Sequence, residues 1–171
     1  MNPLEKPFRI VENKIYSIID KILMNYIKPS IKLNQVSDIN IQLIKKLKSK
    51  YGIGGLILDI DDTLRKDIKP IPKCNQEWLK YMKQEFKVII VSNGFDKDIK
   101  SFASENEIEY MGFCKKPFKK YFLDAANKMG LDPENVLVIG DDIICDIYGG
   151  NRCGMITAIV KDVVNRDDFE R

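Results

Sequence analysis

The stretch GLILDIDDTLRK, Gly55 to Lys66, runs from apolar residues into three carboxylates within four positions, Asp59, Asp61 and Asp62, and then Thr63. A continuous apolar run suits a strand buried on both faces of a parallel sheet, and such sheets hold ligands at the carboxyl ends of their strands. Asp59 and Asp61, two apart in extended chain, can point the same way. Two like charges about 4 Å apart repel by roughly 4 kcal/mol at an effective dielectric near 20, so the pair needs a cation or a proton. A bound divalent ion supplies the first, and an Asp acting as general acid accepts the second. The plainer alternative is that these acids begin a solvated turn or cap a helix. A calcium loop starting at Asp59 fails, because Thr63 and Leu64 stand where a third acid and a glycine belong and Pro70 replaces the final Glu.

Outward from this stretch, short apolar segments alternate with helical patterns. GLILDI (55–60), KVIIVSN (87–93), IEYMGF (108–113), NVLVIGD (135–141) and MITAIV (155–160) read as strands. CNQEWLKYMKQE, DKDIKSFASENE, FKKYFLDAANKMG and DIICDIYGGNRC between them suit crossover helices. The alternation predicts a three-layer, Rossmann-like, doubly wound α/β domain over residues 51–171. Residues 1–50 read as a helical N-terminal extension. There ENKIYSIIDKILMNYI puts Ile15, Ile18, Ile19, Ile22, Leu23, Tyr26 and Ile27 on one apolar stripe, and NIQLIKKLKSKYG is a second helical pattern ending at Gly52. The stripe suits packing against the sheet domain or a twin subunit, or an interfacial helix on a membrane.

Composition narrows the chemistry. The 171 residues make one domain's length, 44% hydrophobic and 31% charged, and a net charge of +3 makes no case for a specific nucleic-acid partner. The four cysteines form no C-x-x-C pair, which fits a reducing, cytoplasmic setting. A polar start with no signal-like cleavage pattern, and no apolar stretch of about 18 residues, gives no expectation of secretion or of a spanning helix. The absence of histidine excludes Ser-His-Asp and Cys-His nucleophiles and every His-ligated metal site, so acid/base work falls to carboxylates.

Three further strand ends repeat the opening signal. VIIVSNG leaves Ser92, Asn93 and Gly94 at a tip suited to phosphate oxygens. CKKPF puts Lys115 and Lys116 before Pro117 at a helix start. VLVIGDDIICD ends in Gly140, Asp141 and Asp142, with Asp146 one turn on.

The ordered set D-x-D-x-T-L, S-N-G, K-P and G-D-D with Asp146, covering roughly Gly55 to Met155, resembles the four motifs of the haloacid dehalogenase (HAD) phosphatase superfamily. The resemblance implies a magnesium-dependent phosphomonoesterase working through an aspartyl phosphate. Asp59 is then the nucleophile, and Asp61 the general acid and later the base, oriented by Thr63. Thr63, Ser92, Asn93 and Lys116 would bind the phosphoryl group, and Lys116, the lysine next to proline, would neutralise charge during catalysis. Magnesium would be held by Asp59, Asp61 through its backbone carbonyl, and Asp141, with Asp142 and Asp146 behind the metal's direct ligands.

KYGIGGLILDIDDTL, the short distances between motifs, Pro29 and the G-G-N-R-x-G run from Gly149 to Gly154 resemble the small YqeG-like branch of subfamily IIIA, related to phosphatidylglycerophosphate phosphatases. Branch members usually carry Asn at the position of Asp62 and a non-acidic residue at that of Asp142, so this site is more acidic than the resemblance implies. The chain also stops soon after its last strand, where relatives often continue in a helix. Neither gap between motifs can hold a cap domain, so the site is expected to be open. That favours phosphate on a bulky group, with phosphatidylglycerophosphate as the leading lipid, unless a second subunit closes the cleft. Peripheral contact at the inner face of the membrane would give the N-terminal stripe a purpose. The alternative from another class is a catalytically idle HAD-fold scaffold.

Overall fold

The computed structural model describes residues 22–23 and 26–163. They form one sheet of six strands, β1 (Ile31–Leu33), β2 (Gly55–Leu58), β3 (Lys87–Val91), β4 (Glu109–Met111), β5 (Val136–Gly140) and β6 (Ile156–Val160). The order is β1-β6-β5-β2-β3-β4, and every pairing is parallel. The helices are α1 (Ile41–Tyr51), α2 (Lys73–Glu85), α3 (Lys97–Glu105) and α4 (Lys119–Met129). A π-helical stretch, Ile143–Tyr148, runs on into a helical turn at Gly149–Asn151, and the two together are called α5.

Alternation along the strands sorts the core into two layers. Leu56 and Leu58, Val88 and Ile90, and Leu137 and Ile139 face α1, α2 and α3, where Leu47, Leu79, Met82 and Ala103 receive them. Ile57, Ile89, Val91, Val136 and Val138 point to the other face and pack on Phe122, Ala125 and Ala126 of α4. The chain thus leaves β2 through α2 on one face and reaches β5 through α4 on the other. That reversal places a topological switch point, and with it the natural ligand crevice, between the carboxyl ends of β2 and β5. Only α2 separates the β2 loop from β3, and only α3 and β4 lie between β3 and Lys116. The domain is capless.

The expected boundary at residue 50 does not separate two bodies among the described residues. Ile31–Leu33 forms an edge strand paired with Ala158–Val160, and Val36, Ile39, Ile44 and Leu47 lie in the core. Three residues are too few to show a strand period, so this strand has no legible signature. The second helical pattern is present as α1, capped by Asn40, which accepts from the Gln42 and Leu43 amides, and closed by Gly52 at φ +64°. Of the apolar stripe, Ile22, Leu23, Tyr26 and Ile27 are described, and Ile22 and Tyr26 are exposed. Ile15, Ile18 and Ile19 lie outside the described residues. Among the described residues, no helix is long and apolar enough to cross a membrane.

Candidate active site

Asp59 continues β2 by one residue, its amide donating to the Ile139 carbonyl of β5 at 3.0 Å. The next six residues fold into a tight turn in which the Thr63, Leu64 and Arg65 amides all donate to the Ile60 carbonyl. Asp62 sits in this turn at φ +59°. Asn and Asp tolerate that left-handed conformation better than most other side chains, which gives Asp62 a conformational reason. The Asp62 carboxylate pairs with Lys66, 2.7 Å away. Leu64 turns back into the core.

The second contributor is the tip of β5. Gly140 ends the strand, and a Cβ there would lie 2.2 Å from Asp146 Cγ. Only the missing side chain lets the first turn of α5 fold over the strand and bring Asp146 beside Asp59. Asp59, Asp141 and Asp146 each offer a carboxylate oxygen, all within 4.8 Å of one another. Asp142 does not join them. Its side chain caps α5, accepting from the Ile144 and Cys145 amides, and it reaches the cluster only through its own amide, which donates to Asp146 Oδ2 at 3.2 Å.

Lys116 enters from the loop before α4 and lies almost wholly buried among these acids. Its ammonium donates to Asp59 Oδ1 at 2.5 Å and to Asp146 Oδ1 at 2.7 Å. Lys115 is exposed, so the choice of the proline-adjacent lysine agrees with the placement. Asn93 fixes this loop, accepting from the Lys116 amide at 2.7 Å. Ser92, buried at the end of β3, accepts from the Gly94 amide at 3.2 Å.

The electrostatics follow from burial. Desolvation, helped by the nearby Asp146 charge, pushes the Asp59 carboxyl up to about 8, with Lys116 only partly opposing it. Burial and Asp146 raise Asp141 to about 7. Asp146 is raised by burial against the pull of Lys116. Burial alone would lower Lys116, but Asp146 and Asp59 outweigh it and hold the ammonium above the ordinary lysine range. Asp59 and Asp146 therefore share one ammonium, and Asp141 lies beside them without it. The remaining negative charge and the all-oxygen donor set fit a hard divalent cation such as magnesium, with Asp59 and Asp141 as the acids not both committed to Lys116 and the helix.

Two placements depart from the sequence reading. Thr63, expected to steady Asp61 and touch phosphate, is buried and donates its hydroxyl to Asp141 Oδ1 at 3.2 Å, because the turn folds residue 63 back beneath the tip of β5. Asp61 is instead held by Arg65, whose Nε donates to Asp61 Oδ1 at 2.8 Å. Arg65 and its second partner, Asp96, were not among the expected site residues. Arg65 stands four positions from Asp61 within the opening stretch, but an arginine at that spacing is ordinary on a surface and its burial is invisible in sequence. Arg152 lies over the Tyr148 ring, 5.2 Å from its centroid.

Comparison with known proteins adds to this geometry. A family model described as HAD-hydrolase-like matches residues 113–170. Probable phosphatase YqeG of Bacillus subtilis (strain 168) is 37% identical over 128 residues, covering 73% of this chain and 73% of that protein. A phospholysine phosphohistidine inorganic pyrophosphate phosphatase of Xenopus laevis is 40% identical over 70 residues, which is 41% of this chain and 25% of that protein. Among solved structures, a HAD family enzyme of Bacteroides thetaiotaomicron, in complex with magnesium and inorganic phosphate, has the same fold. Its TM-score is 0.54 at 15% identity, over 70% of this chain and 100% of that one.

Proposed function

The chain belongs to the haloacid dehalogenase superfamily of phosphatases, in its YqeG-like branch, and we propose that it is a magnesium-dependent phosphomonoesterase that forms an aspartyl phosphate on Asp59. The observation that carries this is the gathering of Asp59, Asp141 and Asp146 at the switch point of the sheet, with the buried Lys116 ammonium bonded to Asp59 and Asp146.

An Asp59 oxygen attacks phosphorus, and the bond from phosphorus to the leaving oxygen breaks. Asp61 gives that oxygen its proton. A water then attacks phosphorus from the crevice, losing its proton to Asp61, and the bond to Asp59 breaks to release phosphate. Ser92 and the backbone amides near Asn93 hold phosphoryl oxygens. Lys116, already against Asp59, neutralises the charge that spreads over them. Asp59, Asp141 and the Asp61 carbonyl would hold magnesium, which when bound would screen nucleophile from phosphate and favour ionised Asp59. Asp146 keeps Lys116 aimed at Asp59. The donor set, and magnesium with phosphate in the Bacteroides enzyme of like fold, support this cofactor.

The open crevice suits phosphate borne on a bulky group. We propose a lipid head group, phosphatidylglycerophosphate first, reached from the cytoplasmic side with the N-terminal stripe lying on the membrane. The test is a phosphatase screen of that lipid, lysophospholipids, nucleotides and sugar phosphates, with and without magnesium, beside liposome flotation at low salt. Magnesium-dependent turnover that prefers the lipid, and flotation with anionic vesicles, are expected. Turnover confined to soluble phosphates, with the protein staying in solution, overturns the lipid assignment. An idle scaffold would not need Asp59, Asp141, Asp146 and Lys116 gathered in one crevice.

A further inference from the structure

We propose that Arg65 is a positioning residue that ties the Asp61 carboxylate to the N-terminus of α3, and that this tether sets how well leaving groups are protonated. The proposal rests on Asp61 being the general acid. The Asp61 side chain is 52% exposed and stands on a turn, so nothing in its own packing selects one rotamer. Arg65 supplies the selection. Its side chain is only 4% exposed, and its guanidinium reaches two acids, Nε donating to Asp61 at 2.8 Å and Nη2 donating to Asp96 Oδ2 at 2.7 Å.

A buried guanidinium is costly unless paired, and here both arms are paired. The far acid is itself held. Asp96 caps α3, its Oδ1 accepting from the Asp98 and Ile99 amides at 2.8 and 3.0 Å, and its amide donates to the Tyr110 hydroxyl at 3.1 Å. The near end is equally fixed, since the Arg65 carbonyl accepts from the Asp62 amide at 2.7 Å and closes the turn that carries Asp61. A chain of four groups, Tyr110, Asp96, Arg65 and Asp61, thus anchors an exposed carboxylate to the N-terminus of α3. Arginine suits the task because its planar fork holds two carboxylates at fixed angles, whereas a lysine ammonium acts as a point charge.

Proton delivery to a leaving oxygen demands placement within a fraction of an ångström, and it matters most when the leaving group is poor. The test is kcat/KM, which reports steps up to aspartyl-phosphate formation, over aryl phosphates from para-nitrophenyl to phenyl and para-methoxyphenyl, with magnesium. Asp61→Asn sets the reference and is expected to steepen the dependence on leaving group. Arg65→Gln should steepen it too, losing about tenfold or more on phenyl phosphate and less than about threefold on para-nitrophenyl phosphate, with partial rescue in Arg65→Lys. Asp96→Asn keeps an N-cap residue and loosens only the far end of the tether, so it should show the same trend even where Arg65→Gln does not fold. If Asp61→Asn steepens the plot while Arg65→Gln or, failing its folding, Asp96→Asn runs parallel to wild type, the tether is overturned and the acid assignment stands. If Asp61→Asn itself runs parallel, the acid assignment falls and the tether with it.

Discussion

The ammonium of Lys116 lies 2.5 Å from Asp59 Oδ1, although 57 positions separate the two residues in sequence. It also holds Asp146, so it is the counterion of two buried acids at once. Breaking a buried pair by removing one partner costs about 3–5 kcal/mol, because the other charge stays desolvated. Lys116→Met should therefore lower the urea midpoint by an equivalent amount in chelator and abolish turnover. A variant within about 1 kcal/mol of wild type would show that Lys116 is not what balances these acids.

Replacing Asp59, the proposed nucleophile, has the opposite balance of effects. Asp59→Asn should cut turnover of an aryl phosphate by ~10³-fold or more, with an unchanged circular dichroism spectrum. It also removes one of three crowded carboxylates, so its melting temperature in chelator should equal or exceed that of wild type. Retained turnover sinks the assignment of Asp59.

Stability should depend on pH in an unusual direction. The Asp59 and Asp141 carboxyls sit near 8 and 7 in the folded chain, above the roughly 3.9 of an unfolded Asp. Between about pH 4 and pH 8 the folded state therefore binds more protons than the unfolded one, and stability falls as pH rises through that window. In chelator the melting temperature should drop by several degrees from about pH 5 to about pH 8. Magnesium, which favours the ionised acids, should raise it more at the upper end than at the lower. A metal-free melting curve that is flat across the window would contradict the shared-charge description of the cluster.

Gly140→Ala tests the approach of α5 to β5. The added methyl would meet Asp146 at 2.2 Å, and Asp146 cannot swing away without releasing Lys116. Overpacking of this kind costs about 1–3 kcal/mol. The variant should also lose turnover out of proportion to its stability, since Lys116 is aimed at Asp59 through Asp146. Melting and kcat measured on one preparation decide it.

Legibility in the sequence tracked the range of the interaction. Apolar runs such as GLILDI and NVLVIGD mark strands by local pattern, and five of the six strands lie within the expected segments. The sixth, Ile31–Leu33, owes its strand state to its neighbour β6, which no local period can reveal. In the same way the motif spacing brought Asp59, Asp141, Asp146 and Lys116 to one crevice, because strand ends in a doubly wound sheet converge. The partners of individual side chains were not legible. That Thr63 serves Asp141 and Arg65 serves Asp61 depends on how one turn folds beneath two strand tips, a matter of a few dihedral angles. Asp142, expected behind the metal's direct ligands, caps α5 through the Ile144 and Cys145 amides, a bond set by where the helix begins.

The order of strands has a consequence for how the site comes into being. β2 and β5 are hydrogen-bonded neighbours, yet α2, β3, α3, β4 and α4 all lie between them in the chain. Asp59 and Asp141 thus meet only when that long-range closure is made, and such closures come late and slowly in folding. The mutual repulsion of the acids weighs on the final step of assembly, after the hydrophobic layers have gathered. A divalent cation that binds there would act as a folding partner, and no shorter fragment ending before β5 can contain both Asp59 and Asp141.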